Sequence, residues 1–259
     1  GEGPLITCAR QIEETAEWLV ADQDGWMYIF SPDGKTIVEK FHAAPDQVII
    51  SVSCDLDGKT LVAYANRDYA SLWHRGSDKP GRILSDYSCV IVAPDRTWIA
   101  CAHEESKHIE LLDCSTFQQI HSIDAHTEVI RGLCCSAKQD MLVSVSHDRT
   151  LASWDTDSWQ MQHRCSGQPV RLDAVAMHPD GLTVATFDYA GRISLWDARV
   201  GRTLMTVDEA APSTIGMAFS PDGRYLAAWD CMGRITLIDS AESPATRRPD
   251  PAVTESTEE

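Results

Sequence analysis

Short runs of alternating apolar and polar residues recur along the chain, and each run ends at a polar turn. Between residues 172 and 207 these runs are LDAVAM, LTVATFD, RISLWD and RTLMTV, and HPDG follows the first of them. Alternation at a period of two predicts β-strands, and Pro-Asp-Gly predicts a tight turn between them. Residues 215–239 repeat the first three runs as IGMAF, RYLAAWD and RITLID, with SPDG at the same place. The pattern predicts a repeated unit of four antiparallel strands.

The unit recurs at a nearly constant spacing. One large apolar position near the end of each third strand marks the register, and successive positions lie 43, 39, 42, 42 and 42 residues apart. These positions are Phe30, Trp73, Leu112, Trp154, Trp196 and Ile238. Four-stranded units repeating every 40 to 45 residues or so are typical of β-propeller blades. We therefore predict an all-β fold, a β-propeller of six recognisable four-stranded blades. In this register the SPDG turn at 31–34 follows the third strand of the first blade.

The two ends of the chain leave the size of the ring open. The sixth unit has only three predicted strands, and residues 240–259 are rich in Pro, Ser, Thr and Glu. Such a composition cannot bury apolar surface, so we expect residues 1–239 to form the propeller and residues 240–259 to be a disordered tail. A blade without its outer strand exposes an edge. Either the ring has six blades with a short last blade, or a further blade encoded upstream makes it seven.

Composition narrows the classes of partner. The formal net charge is −17, whereas binding to the phosphates of a nucleic acid needs a basic surface, so we expect no nucleic-acid partner. No apolar run approaches the roughly 18 residues that span a bilayer, so we expect no membrane-spanning segment. The nine cysteines form no CxxC pair, and most lie in apolar surroundings. With no signal-peptide pattern at GEGPLITC, they predict a reducing, cytoplasmic location.

The stretch SVSHDRTLASWD at 144–155 brings together residue types that also occur in nucleophilic sites. Ser144, Asp148 and the nearby His126 could be a nucleophilic triad or a structural network. A second candidate, DQDG at 22–25, resembles the start of a calcium loop but lacks Glu at its twelfth position, so a polar turn explains it better. GxxxxGK and GxGxxG are absent, and the histidines lack metal-ligand spacing. We predict neither a metal nor a cofactor.

The repeats resemble those of the WD40 family of β-propellers. The resemblance depends on Trp154-Asp155 and Trp196-Asp197, on the HPDG and SPDG turns, and on DAH at 124–126 in place of Gly-His. It covers residues 5 to about 239. It implies a ring of radially arranged sheets whose upper surface and rim usually bind proteins or peptides.

The family pattern also implies a hydrogen-bonded chain of His126, Ser144, Asp148 and Trp154. In it the indole N–H donates to the serine, whose hydroxyl donates to one histidine nitrogen, while the other nitrogen donates to the carboxylate. This implication and the absence of a GxSxG elbow favour a structural role for these residues over a catalytic one. We therefore predict no enzymatic activity. Only the fourth unit carries the complete set. We expect the other five blades to rely on apolar packing alone.

The resemblance also implies that the turns after each second strand and the loops that lead into each blade lie on one rim, where we expect partners to bind. The predicted rim residues are Asp22, Asp24, Arg67, Tyr69, His103, Glu104, Glu105, Arg131, His147, Arg149, Asp173, Asp188, Tyr189 and Asp230. Carboxylates outnumber cations in this set, which predicts a basic partner. The chain is thus predicted to be a scaffold or sensor module for protein interaction. The alternative is a regulatory or substrate-gating propeller of a larger enzyme whose catalytic part lies elsewhere.

Overall fold

The structure is a computed structural model in which the regular elements are β-strands. It describes residues 5–239 apart from positions 13, 56, 66–68, 96, 106, 137–139, 167, 208–213 and 231–233. Within this part of the chain, no helix is long and apolar enough to cross a membrane.

The strands of the first three blades follow the predicted repeats. Blade 1 comprises β1 (Ile6–Gln11), β2 (Trp18–Asp22), β3 (Trp26–Phe30) and β4 (Ile37–His42). Blade 2 comprises β5 (Ile49–Cys54), β6 (Thr60–Ala65), β7 (Tyr69–His74) and β8 (Arg82–Ser85). Blade 3 comprises β9 (Tyr87–Val92), β10 (Trp98–His103), β11 (His108–Asp113) and β12 (Gln119–Asp124).

The last three blades keep the same order. Blade 4 comprises β13 (Ile130–Ser136), β14 (Met141–Ser146), β15 (Leu151–Asp155) and β16 (Met161–Cys165). Blade 5 comprises β17 (Leu172–Met177), β18 (Thr183–Asp188), β19 (Ile193–Asp197) and β20 (Arg202–Val207). Blade 6 comprises β21 (Thr214–Phe219), β22 (Tyr225–Asp230) and β23 (Ile235–Asp239).

Each blade is a sheet in which consecutive strands pair antiparallel. Five sheets have four strands, and the sixth has three among the described residues. Because alternate residues of a strand point to opposite faces, each sheet has two faces, and blades 2 to 5 present one apolar face to the blade before them and another to the blade after them. The predicted fold class, a β-propeller of six WD40-type blades, is confirmed.

Apolar side chains fill the space between neighbouring blades. Leu19 and Ile29 of blade 1 share one core cluster with Leu61 and Trp73 of blade 2. The first strands lie side by side in the series β1, β5, β9, β13, β17 and β21, which places them at the centre of the array. Burial between sheets is therefore the main stabilising contribution, as expected for units that cannot bury both faces alone.

In the described part of the chain, the last and the first blades of the array do not pack on each other as the other neighbouring blades do. No contact comparable with those between the other neighbouring first strands joins β21 to β1 within the described residues. Two apolar faces, one on blade 6 and one on blade 1, consequently lack a neighbouring sheet in this part of the chain.

Candidate functional site

On one side of the array, the turn between the second and third strands lies against the segment that leads into the same blade. The backbone amide of Tyr189 donates to the carbonyl of Arg171 at 3.0 Å, and the amide of His147 donates to the carbonyl of Val129 at 2.9 Å. Equivalent bonds join residues 23 and 5 in blade 1 and residues 104 and 86 in blade 3. We call this side the upper rim. It carries the turns in which the sequence predicts partner-binding residues.

A β-bulge at the start of the first strand directs side chains onto this rim. The register between the first and second strands shifts at this point in every blade. The shift leaves Arg131 in blade 4 and Asp173 in blade 5 as the extra residues. A bulge re-aims the side chain of the extra residue away from the regular pleat. These two residues therefore project from equivalent positions of adjacent blades.

Four polar and aromatic side chains meet on the upper rim where blades 4 and 5 adjoin. His147 Nε2 lies 2.8 Å from Asp173 Oδ1, and Arg171 Nε lies 3.9 Å from the same oxygen. The guanidinium carbon of Arg171 lies 3.8 Å from the centroid of the Tyr189 ring, which is 58% exposed. We call these four residues the blade 4–5 cluster. The ionic and cation–π contacts hold a surface aromatic ring and charged groups in defined positions.

Two carboxylates that were predicted to lie on the partner-binding rim are instead buried and accept hydrogen bonds inside the protein. Asp188 is buried and accepts hydrogen bonds from the amides of Ala190 and Arg192 and from the Arg192 Nε–H. Asp22 is completely buried and accepts a hydrogen bond of 2.8 Å from the hydroxyl of Tyr28, as well as two from turn amides. Each carboxylate closes the turn after its second strand. Their assignment to a partner-binding surface is therefore corrected.

The other predicted rim residues divide by exposure. Exposed side chains belong to Asp24, Glu105, Arg131, Arg149 and Tyr189. Partly buried side chains belong to Tyr69, His103, Glu104, His147 and Asp173. Arg67 and the side chain of Asp230 lie outside the described residues. Arg171 was not predicted from the sequence, although it stands two residues before Asp173 and could have been found from that spacing at the start of a strand.

Within blade 4, hydrogen bonds connect the four side chains of the predicted network, which are those of His126, Ser144, Asp148 and Trp154. The indole N–H of Trp154 donates to Ser144 Oγ at 3.0 Å, and Ser144 Oγ lies 2.8 Å from His126 Nε2. His126 Nδ1 lies 3.0 Å from both Asp148 Oδ2 and Thr150 Oγ1. Since Ser144 Oγ already accepts from the indole, its hydroxyl donates to Nε2, and Nδ1–H then donates to the carboxylate. The chain of bonds links the strands to the turn and to the preceding loop.

The environment of this network suits a structural role. Ser144 is completely buried and its oxygen lies between the indole and the imidazole, so a substrate carbonyl has no path to it. Burial disfavours the charged form of Asp148, but hydrogen bonds from His126, Thr150 and the amide of Thr127 outweigh it. They hold the pKa of this carboxyl well below its ordinary value. The network therefore keeps a buried carboxylate charged and fully bonded.

Two further blades contain part of such a network. In blade 5 the indole N–H of Trp196 donates to Thr186 Oγ1 at 2.8 Å. In blade 2 the indole N–H of Trp73 donates to Ser71 Oγ at 2.9 Å. Together with the turn carboxylate of Asp188, these bonds correct the expectation that five blades rely on apolar packing alone. Thr186 stands in the register of Ser144, so the sequence contained the signal for blade 5.

Comparison with known proteins agrees with the repeat and the fold. The sequence profile described as "WD domain, G-beta repeat" matches residues 117–155. WD repeat and FYVE domain-containing protein 2 of Caenorhabditis briggsae is 25% identical over 207 residues, which are 76% of this chain and 48% of that protein. Telomerase protein component 1 of Mus musculus is 31% identical over 112 residues, which are 43% of this chain and 4% of that protein.

A further sequence relative and one solved structure extend the comparison. Striatin-3 of Rattus norvegicus is 32% identical over 89 residues, covering 33% of this chain and 11% of that protein. A chain in the crystal structure of the mitotic checkpoint complex superposes with a TM-score of 0.76 at 12% identity, over 92% of this chain and 75% of that chain. This chain spans less than half the length of each of the three sequence relatives.

Proposed function

Because this chain belongs to the WD40-repeat β-propellers, which generally act as protein-interaction scaffolds, we propose that it is a non-enzymatic module that binds a protein or peptide on its upper rim. The blade 4–5 cluster is the centre of the proposed surface. One observation carries the proposal, namely the exposed Tyr189 ring held beneath Arg171 beside the His147–Asp173 pair.

The physical features of the cluster suit binding. An aromatic side chain contributes a large contact area and has few torsions to immobilise, and a guanidinium and a carboxylate next to it supply directional contacts. Trp154 and Ser144 in blade 4 and Trp196 and Thr186 in blade 5 stiffen the two blades that present the cluster. A surface that is fixed before binding loses less conformational freedom when the partner arrives.

The proposal extends to the charge of the partner. Asp24 and Glu105 are exposed carboxylates on the upper rim, and the whole chain carries a formal charge of −17. A long-range negative potential attracts segments rich in Lys or Arg. Within the cluster, Asp173 offers such a segment a carboxylate, while the face of Tyr189 that Arg171 leaves open offers it a cation–π contact. We propose a basic protein or peptide rather than a nucleic acid.

The proposed setting of the module is a reducing, cytoplasmic compartment. The eight cysteines that the structure describes are thiols, not disulfides. Burial raises the pKa of Cys89 and of Cys135 to about 12, so both remain protonated and unreactive at neutral pH. Small buried thiols of this kind serve as apolar packing groups.

Quantitative affinity capture with matched variants tests the proposed surface. Tyr189→Ala removes the exposed ring, and Val200→Ala removes an equally exposed apolar side chain from the β19–β20 turn on the opposite side. The proteins retained by the wild-type chain should be lost with Tyr189→Ala and kept with Val200→Ala. Equal retention by both variants would show that the partner does not bind at this cluster.

A further inference from the structure

Two cationic residues on the upper rim have a backbone conformation for which two other blades use glycine. The turns between the second and third strands of blades 1 and 5 contain Gly25 and Gly191, with φ angles of 83° and 90°. The corresponding turns of blades 3 and 4 contain Lys107 and Arg149, with φ angles of 60° and 68°. In this left-handed region glycine is unstrained, whereas a residue with a Cβ is strained. Both turns therefore carry a backbone strain that a glycine would remove.

Backbone hydrogen bonds show that these positions are equivalent. The carbonyls of Gly25 and Lys107 each accept from the amide that stands two residues after the outer strand of the same blade, at 3.0 and 3.3 Å. The amides of Gly191 and Arg149 each donate to the carbonyl that ends the second strand of their blade, at 2.9 and 3.1 Å. The turns of blades 3 and 4 thus keep the conformation of the glycine turns although they have a cationic residue instead.

Packing compensates the same kind of strain at another position but not at these two. Phe117, in the β11–β12 turn, has a φ of 56°, and its buried ring stacks on the ring of His74 with centroids 4.3 Å apart. The side chain of Arg149 is exposed and that of Lys107 is half-buried. Among the described residues, neither side chain has a hydrogen-bond or ion-pair partner. A strained residue without such compensation points to a function of its side chain.

One loop residue connects the two cationic turns. His126 donates its amide N–H to the carbonyl of Lys107, and its Nδ1 lies 3.0 Å from both Asp148 Oδ2 and Thr150 Oγ1. Asp148 and Thr150 are the neighbours of Arg149 in its turn, and the carboxylate of Asp148 is already occupied by these bonds. Lys107 and Arg149 therefore stand on adjacent turns of the upper rim, and we call them the blade 3–4 cation pair.

Charged residues of both signs accompany the blade 3–4 cation pair. Glu105 in the blade 3 turn and Glu128 in the loop that leads into blade 4 are exposed carboxylates. Arg131, the extra residue of the bulge in blade 4, is an exposed cation. This part of the rim thus offers contacts of both signs, whereas the chain as a whole carries a charge of −17. Contacts of both signs favour one register of a partner segment that itself carries both signs.

We propose that the blade 3–4 cation pair receives an anionic side chain, a carboxylate or a phosphate, of the otherwise basic segment that binds the upper rim. This inference rests on the proposed function, because it assigns a further contact to the same partner. A guanidinium pairs with either group through two parallel hydrogen bonds, and an ammonium adds a second positive charge. Because the two turns fix the backbone of both cations in advance, less conformational freedom is lost on binding.

Melting temperatures of two glycine variants test whether the strain is uncompensated. Arg149→Gly should leave the melting temperature unchanged or raise it by up to a few degrees, because glycine relieves the turn and no internal side-chain contact is lost. Phe117→Gly, the matched control at a left-handed position, should lower it by more than about 5 °C, because a buried ring is removed. A decrease for Arg149→Gly as large as that for Phe117→Gly would overturn the proposal.

Peptide selection provides a defined probe for the blade 3–4 cation pair. A phage-displayed library of random short peptides is sorted for binding to the full chain. The selected peptides should be rich in Lys or Arg and should contain an Asp or Glu at a recurring place. Selected peptides without a recurring acidic residue would overturn the proposal.

The affinity of one selected peptide then locates the contact. Changing its acidic residue to glutamine should weaken binding to the wild-type chain by about fivefold or more, but binding to Arg149→Gln or Lys107→Gln by less than about twofold. Lys35→Gln, which removes an exposed cation from the β3–β4 turn on the opposite side, should behave like wild type. Phosphoserine at the same place identifies the anion, because tighter binding than with the acidic residue indicates a phosphate and weaker binding indicates a carboxylate.

Tyr189→Ala separates this inference from the proposed function. The inference would be overturned, and the proposed function kept, if Tyr189→Ala abolishes peptide binding while the glutamine change weakens binding equally in wild type, Arg149→Gln and Lys107→Gln. Peptide binding that depends on the blade 3–4 cation pair but is unaffected by Tyr189→Ala would support the pair and contradict the proposed centre at blades 4 and 5.

Discussion

The indole N–H of Trp196 donates to the hydroxyl of Thr186 at 2.8 Å inside blade 5, in the register where Trp154 meets Ser144 in blade 4. The two blades that present the cluster of His147, Arg171, Asp173 and Tyr189 therefore share an internal bond between their second and third strands. Such a bond links two strands at a buried position, where the loss of either group leaves the other unsatisfied.

Ser144→Ala should lower the free energy of unfolding by about 1 to 2 kcal/mol, because the Trp154 indole and the His126 imidazole both lose their buried partner. Urea unfolding of the variant and of Ser158→Ala, an exposed turn residue, provides the comparison. The Ser158 variant should stay close to wild type. Ester or peptide hydrolysis by the wild-type chain that disappears in Ser144→Ala would instead identify a catalytic serine.

Thr186→Val keeps the shape of the side chain and removes the acceptor for Trp196. We expect a loss of about 1 kcal/mol, smaller than for Ser144→Ala because one indole bond is broken rather than a chain of bonds. A double-mutant cycle with Trp196→Phe measures the coupling between the two side chains. A coupling energy near zero would show that the bond contributes nothing to stability.

The ionisation of Asp148 makes the free energy of unfolding depend on pH. Its folded-state pKa lies below the unfolded value of about 3.9, so its contribution is fully present above that value and is lost as the pH falls below it. Asp148→Asn should therefore lower the melting temperature at pH 7, and the difference from wild type should shrink towards pH 3. Thermal melts at pH 7, 5 and 3 test this, with the exposed Asp157→Asn as the control. A difference that is the same at all three values would contradict the assignment.

Two glycines with similar backbone angles should respond very differently to alanine. Gly25 has a φ of 83°, and an added Cβ would lie 1.9 Å from the carbonyl oxygen of Ala44. Gly34 has a φ of 71°, but nothing lies within 4 Å of its added Cβ. We expect Gly34→Ala to cost about 1 kcal/mol and Gly25→Ala more than about 3 kcal/mol or the fold itself. Equal urea midpoints for the two variants would contradict this account of the blade 1 turn.

The affinity for the proposed basic partner should fall as salt rises from about 50 to about 300 mM, because screening shortens the range of the negative potential. Isothermal titration at three salt concentrations measures this dependence. Charge reversal at Glu105, which is exposed on the upper rim, should weaken the dependence. An affinity that does not change with salt would argue for an apolar partner.

The sequence was sufficient to predict the repeat but not which polar residues turn inward. The spacing of Trp154 and Trp196 correctly placed the SPDG turn at 31–34 between β3 and β4, because a register is a property of the whole repeat. In the sequence, nothing distinguishes Asp22 and Asp188 from aspartates that are exposed in turns. Their carboxylates can be buried because amide N–H groups of the same turn donate hydrogen bonds to them. These hydrogen bonds depend on the conformation of the folded turn, which the sequence pattern does not describe.

The hydrogen bonds donated by the Trp196 and Trp73 indoles also differ in whether the sequence could predict them. Thr186 could be predicted as a partner of Trp196 because it repeats the register of Ser144. Ser71 could not, since it lies on the same strand as Trp73, and the bond depends on the rotation of the indole within the core. Packing between sheets, which sequence periodicity does not describe, selects that rotation.

Hydrogen–deuterium exchange of the chain, alone and bound to the partner retained by affinity capture, tests the proposed binding surface most directly. Slower exchange in the complex is predicted at residues 147–149, 171–173 and 188–190 on the upper rim. Unchanged exchange is predicted at residues 157–160 and 198–201, the turns on the opposite side of the same blades. Protection of those opposite turns, with no change on the upper rim, would contradict the proposed binding surface.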